Sequence, residues 1–343
     1  MEPMDGDLTS IPYQPTSTVV EIPDHFPEMV IPADNPMTLQ GIELGRRLFF
    51  DPILSSDGTM SCSSCHMPSG AFTDNLAVST GVLGNEGRRS SMSLLNIGFN
   101  NNGFFWDGRT LSLEEQALLP IEDPLELNET WGNVETKLRD DEIYPALFRR
   151  AFGIASTQEI TRELAAKAIA QFERTLVSSG NSKYDRVVQG LDVFSDEELR
   201  GHDIFFDIDP DISRHAECGH CHNAPLFTTN EYFNNGIDQV TDLTNFLDIG
   251  RGEVTSSIFD NGTFRVPTLR AIEFTAPYMH DGRFSTLDEV IDHYVTGGHP
   301  AQNLAPVLRE LNLEPEDRTA LKAFIETLAD EDFLTNPSFL SPF

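Results

Sequence analysis

The pattern Cys-x-x-Cys-His occurs twice, as Cys62, Cys65 and His66 in CSSCH and as Cys218, Cys221 and His222 in CGHCH. These four cysteines are all that the 343 residues contain, so none is left for a disulfide. A zinc site needs four nitrogen or sulfur ligands brought together, and a thioredoxin-type site puts its Cys-x-x-Cys at a strand-to-helix junction without needing the His. Two separate units that use every cysteine match c-type haem attachment, in which the thiols bond the porphyrin vinyl groups and the adjacent His ligates the iron. Two covalently bound haem c groups are the expectation, with zinc and thiol redox chemistry as the alternatives.

Around the two motifs the chain repeats itself in diverged form. Gly45 of GRRLFFD precedes Cys62 by 17 positions, and Gly201 of GHDIFFD precedes Cys218 by 17. SGAFTDN follows the first motif and APLFTTN the second; farther on, FFWDGRTLSLEEQ pairs with YMHDGRFSTLDEV. In both halves an Asp-Gly-Arg turn leads into a capping box, Ser112 with Glu115 and Thr286 with Glu289. The expected fold is mainly α: two cytochrome c-like helical domains, each with one covalent haem, packed with the haems near their interface. Residues 1–37, rich in Pro, Asp and Thr, read as an extended arm. Residues 38–190 form the first domain and 191–343 the second. The first helix is expected in MTLQGIELGRRLFFD, and the stretch 156–188 has helical spacing that ends at Gly180-Asn181-Ser182. Ser195 with Glu198 opens the second unit.

The repeat also maps what faces each iron from the side opposite its His. Counting from Arg109 and Arg283, Gln116 matches Val290 and Pro120 matches Tyr294. Proline cannot ligate iron and tyrosinate can, so the first haem is expected open and the second closed by Tyr294. The competing reading of Tyr294 is a half-buried aromatic on LDEVIDHYV. Met279 and His280 are rival ligands, but they match Phe105 and Trp106 and read as wall or bridge residues. His293 would point about 100° away from Tyr294 on its helix. Arg109 and Arg283 are expected to pair with haem propionates by charge complementarity.

With 23 Lys and Arg against 55 Asp and Glu, the formal charge is −32. Nucleic acid and anionic membranes are therefore poor partners, while a basic electron-donor protein would be steered in; the acidity equally serves solubility. No apolar run reaches membrane-spanning length, and MEPMDGDLTS lacks the character of a signal peptide. Because bacteria attach haem c outside the cytoplasm, a periplasmic or exported protein is expected, its export or lipoprotein signal having been removed.

The motifs FFWDGR, SLEEQALLPIEDPLEL and FRVPTLRAIEFTAPYMHDG, together with the two haem motifs, resemble the bacterial dihaem cytochrome c peroxidase and MauG family from about residue 37 onward. The resemblance implies a peroxide-reactive first haem and an electron-relaying second haem. It maps the family's distal Gln, Pro and Glu onto Gln116, Pro120 and Glu126, and its inter-haem Trp onto Trp106. It implies a calcium ion held partly by the Thr275 and Pro277 carbonyls, and it puts the second haem's outer ligand at Tyr294, where MauG-like members have Tyr and ordinary peroxidases Met. Three positions depart from the pattern. Leu83 stands where many members have a removable distal His; Ser90 replaces the usual calcium Asn; and Ala216 replaces a surface Trp used by MauG.

On this resemblance Glu126 is the acid/base that moves a proton between the peroxide oxygens, Gln116 orients the peroxide, and Trp106 carries electrons between the haems. Each has a plainer reading: a solvated carboxylate, a helix-surface amide and a core aromatic. The leading function is reduction of hydrogen peroxide to water with electrons from a small redox protein, a monohaem cytochrome c or a cupredoxin; a homodimer is also allowed. Two alternatives are a MauG-like oxidase that modifies Trp or Tyr on a partner protein, and a dihaem electron carrier with both irons capped.

Overall fold

The computed structural model describes residues 6–343; residues 1–5, the start of the expected arm, lie outside the described residues. Helices dominate, and the sheet among the described residues is one antiparallel ribbon, Tyr232–Phe233 with Phe264–Arg265, pairing Tyr232 with Arg265. Residues 6–37 contain no helix and lie along the first unit. The Leu8 amide bonds the Ala155 carbonyl and the Thr18 amide bonds that of Met37, while Leu8, Phe26, Met29 and Met37 are buried.

Leu39–Phe50 begins where Thr38 accepts a hydrogen bond from the Gly41 amide. Its buried face carries Leu44, Gly45 and Leu48 and packs on the helix Arg162–Glu173. A Cβ at Gly45 would collide with the Ala168 carbonyl, and a Cβ at Gly201 would collide with that of Ala320. Gly201 belongs to Asp196–Phe205, which packs on Pro315–Glu326. Each half thus crosses two helices backbone to backbone at the repeat's glycine, which explains why that glycine recurs at a fixed distance from the cysteines.

Two hydrophobic clusters result. One is built around Leu48, Phe49, Phe72, Ile121 and Phe172, the other around Phe205, Phe227, Leu287, Ile291 and Phe324. They interlock along the chain: Tyr184 belongs to the second, whereas Phe333 and Phe339 of the C-terminal segment return to the first. Asp330 fastens that return by accepting hydrogen bonds from Ser178 Oγ, Ser179 N and Ser179 Oγ. The same region corrects the expected helix, which stops at Glu173 rather than at Gly180. Its following backbone groups find tertiary partners instead, the Leu176 carbonyl at Asn96 N and the Ser178 amide at Asn96 Oδ1. A separate helix, Lys183–Val188, then starts on Ser182.

Asp185 of that short helix and Arg270 are both fully buried. Arg270 donates Nη1 and Nη2 to the two Asp185 oxygens at 2.9 and 2.7 Å and Nε to the Pro225 carbonyl at 2.7 Å. His25 of the arm adds its Nε2 at 2.8 Å from Asp185. One buried charge knot therefore joins the arm, the link between the two units and the loop after the second haem motif.

Candidate functional site

Each Cys-x-x-Cys forms a single helical turn, Cys62–Cys65 and Cys218–Cys221, which brings residues three apart to one face. His66 Nδ1 lies 2.8 Å from the Phe72 carbonyl, and His222 Nδ1 lies 3.1 Å from the Phe227 carbonyl. A carbonyl only accepts, so Nδ1 carries the proton and Nε2 keeps its lone pair for a metal. Phe72 and Phe227 are matched positions of the repeat, and both adopt left-handed backbone, φ 62° and 53°. That conformation disfavours bulky residues, and here it belongs to the turn whose carbonyl meets the His. Burial lowers His66 below its ordinary range and His222 to about 4, so both rings stay neutral, as a ligand must.

Burial also pushes the thiols up, Cys65 to about 11 and Cys218 to about 12, with Cys62 and Cys221 raised as well. Neutral, half-buried thiols do not suit redox exchange. Among the described residues, no group of three converging His, Cys, Asp or Glu ligand atoms includes a cysteine, so the four thiols form no zinc centre. The buried surroundings, free thiols and oriented imidazoles fit two haem c groups.

In the first half, Ser112 caps Leu113–Glu122 by accepting from the Glu115 amide, while Glu115 accepts from the Leu111 amide. Pro120 lies in the last turns, where its missing N–H leaves the Gln116 carbonyl without its helical partner. Both residues are half-buried. The chain then turns, the Glu126 amide bonding the Asp123 carbonyl and the Val82 amide bonding the Glu126 carbonyl at 2.8 Å. Burial, helped by Asp123 and opposed by Arg109, pushes Glu126 up to about 7. Its charge in turn raises both Cys62 and Cys65. Leu83 is exposed.

Over the second motif, Thr286 and Glu289 form the expected capping box at the start of Leu287–Val295. Tyr294 lies in its last turn and is pushed up to about 12 by burial; an Asn235 hydrogen bond opposes this and the Cys221 and Cys218 thiols add to it. Asn235 Nδ2 stands 3.4 Å from Tyr294 Oη and 3.4 Å from Met279 Sδ, so the phenol and the thioether face one cleft. His293 turns away, its Nε2 2.9 Å from the Asn235 carbonyl. His280 stacks on Phe264 at 3.7 Å.

Trp106 lies on the wall of the same cleft. Its Nε1 donates to the Ser90 carbonyl at 2.9 Å, while Ser90 donates its amide to the His280 carbonyl and its hydroxyl to the Met279 carbonyl. The next residue, Ser91, donates to the Cys65 carbonyl and lies 3.2 Å from His66 Nδ1. Trp106 is thus linked to both sites through two consecutive serines. Thr275 and Pro277 border the cleft, and Asn75 pins their loop through the Phe274 and Ala276 carbonyls. The two expected propionate partners already have carboxylates: Arg109 meets Asp107, and Arg283 meets Asp281 and Asp238.

Sequence reasoning missed two buried groups, because burial leaves no mark on a one-dimensional motif. One is Arg265, treated below. The other is Glu173, whose Oε2 is buried without a hydrogen-bond partner among the described residues and whose charge raises Cys62. Burial pushes Glu173 up to about 8; the neighbouring Arg174 opposes this but is held bidentately by Glu114. A carboxyl raised in the folded state stabilises below its unfolded value and loses that contribution as pH climbs toward 8. Between pH 5 and 7 the Glu173 contribution should fall by about 2 kcal/mol. Guanidinium unfolding should show this slope in the parent protein and a flatter one in Glu173→Gln.

Residues 39–192 match the family described as di-haem cytochrome c peroxidase. The chain is 35% identical over 306 residues to the methylamine utilization protein MauG of Methylorubrum extorquens, covering 88% of this chain and 81% of that protein. It is 35% identical over 317 residues to the cytochrome c551 peroxidase of Nitrosomonas europaea, covering 92% and 86%. Its fold matches the crystal structure of a MauG-like protein associated with microbial copper homeostasis with a TM-score of 0.86 at 32% identity, covering 94% and 98% of the two chains.

Proposed function

The chain belongs to the di-haem cytochrome c peroxidase family, and from that premise we propose that it reduces hydrogen peroxide to water at the site of Cys62, Cys65 and His66. Electrons come from a small redox protein by way of the site of Cys218, Cys221 and His222. When bound, the first haem supplies an iron that accepts peroxide, and the second stores and relays electrons. The carrying observation is Glu126, a carboxyl that burial pushes to about 7 and whose charge is felt at both Cys62 and Cys65. Such a group takes the proton from one peroxide oxygen and returns it to the other near neutral pH. Gln116 would orient the peroxide, and Pro120, which cannot ligate a metal, would leave room for it. Trp106 bridges the two sites.

The acidic surface suits a basic donor, either a monohaem cytochrome c or a cupredoxin. No helix among the described residues is long and apolar enough to cross a membrane, and the reading includes a periplasmic setting. Calcium at the Thr275 and Pro277 carbonyls belongs to the same reading, although Ser90 spends its hydroxyl on Met279. The test is steady-state peroxide turnover with reduced donor proteins: rapid turnover is expected, and none with any small donor refutes the peroxidase.

Tyr294 favours a second reading, a MauG-like oxidase acting on Trp or Tyr of a partner protein, because a phenolate ligand stabilises high oxidation states. The 32% identical structure described as MauG-like lends this reading weight, and Ala216 weighs against it. A long-lived oxidised state with negligible turnover would select it. Under either reading the oxidised protein should show one high-spin and one low-spin haem, and Tyr294→Phe should abolish the parent's low-spin signature. An unchanged spectrum would transfer the ligand role to Met279, which shares the cleft.

A further inference from the structure

Arg265 is 5% exposed. Its Nη1 donates to Asn230 Oδ1 at 2.8 Å, its Nε to the Phe105 carbonyl at 3.3 Å, and its Nη2 lies 3.4 Å from Met92 Sδ. Among the described residues the other two buried arginines each meet a carboxylate, Arg174 at Glu114 and Arg270 at Asp185. Arg265 meets neutral groups alone. A buried guanidinium without an anion is costly, and burial already lowers Arg265 to about 10.

Its neighbours fix where it acts. Phe105 precedes Trp106, whose carbonyl accepts the Arg265 amide at 2.8 Å. Met92 follows Ser91, the residue against His66. Asn230 follows Thr229, whose amide bonds the Cys221 carbonyl. Arg265 lines the cleft with Cys221, His222 and Trp106. A guanidinium has five N–H groups, so N–H groups remain for a planar acceptor, and carboxylate is the acceptor that Arg matches best.

We propose that Arg265 binds a propionate of the second haem, holding that haem against Trp106 and keeping its iron easier to reduce. The inference rests on haem occupancy of the cleft and not on peroxidase turnover. A fixed cation favours the reduced, more electron-rich iron, so its removal lowers the potential.

The test uses the holoprotein and needs no peroxide. Arg265→Met should retain two covalent haems by pyridine haemochrome assay. The reduction equilibrium of its second haem should fall about tenfold, equivalent to about 59 mV for one electron, and the propionate bending bands in resonance Raman spectra should shift. Arg265→Lys should recover most of the potential but not the band position, because an ammonium lacks the planar fork. If Arg265→Met fails to mature, that shifted band in Arg265→Lys carries the test. Parent-like potential and propionate bands in a two-haem Arg265→Met, or parent-like bands in Arg265→Lys, overturn the proposal. So does a parent potential that depends on added chloride or phosphate while the propionate bands stay fixed in the variants, because the anion would then be free in solution.

Discussion

Glu126→Gln should slow the reaction with hydrogen peroxide by about 10²- to 10⁴-fold, the usual worth of a positioned general acid or base. The substitution removes the ionisable group and keeps the shape. The Glu126 side chain makes no hydrogen bond among the described residues, and the backbone bond from Val82 to its carbonyl is retained. Haem content should therefore match the parent while the rate collapses, and the unfolding midpoint should rise near neutral pH, where burial makes the ionised Glu126 costly. The pH profile gives a second signature. Burial raises Glu126 to about 7, so the proton-accepting carboxylate is lost as pH falls through that value, and the parent rate should fall with it. Glu126→Gln should lack that limb. Stopped-flow mixing with peroxide across the range reads both effects; a variant as fast as the parent would remove Glu126 from the chemistry.

Asp185→Asn should destabilise the protein by about 3–5 kcal/mol, since it leaves the Arg270 guanidinium buried without its counter-charge. Burial alone would raise Asp185, but the hydrogen bonds and charge of Arg270, with Ser182 and His25, hold it down to about 2. A depressed carboxyl contributes fully above its unfolded value near 4, and the contribution disappears as pH falls through about 2. The parent should thus lose stability on acidification between those values, and the variant should lose less. The injury should be felt at the second haem, because Arg270 also binds the Pro225 carbonyl two residues before Phe227, whose carbonyl meets His222. Guanidinium unfolding followed at the Soret band measures the change. His25→Ala should cost less, as it leaves the Arg270–Asp185 pair intact.

Local chemistry was legible without coordinates wherever a function needs residues close together in the chain. The single turns of the two Cys-x-x-Cys-His motifs, the helix cap at Ser112, the capping box at Thr286, and the turning away of His293 from Tyr294 all follow from covalent spacing and helical geometry; Glu115 departs from the expected box by bonding the Leu111 amide. The repeat went further by aligning Pro120 with Tyr294, which lie in the last turns of matching helices. It also contained two signals whose meaning emerged later: the glycines at the helix crossings and the left-handed Phe72 and Phe227.

The end of the long helix at Glu173 was not legible, because Asn96 and Asp330, far away in the chain, supply the hydrogen bonds that replace another helical turn. The pairing of Arg109 and Arg283 with nearby aspartates, and the lack of a carboxylate at Arg265 among the described residues, likewise depend on what lies alongside in space. Spacing alone determined which thiols and imidazoles stand together on each of the two single helical turns, since one turn acts over five residues. Which buried charges stay unpaired, and so hold a proton or call for an anion, was decided by the tertiary structure. Desolvation and pairing depend on neighbours that the chain brings together only when it packs.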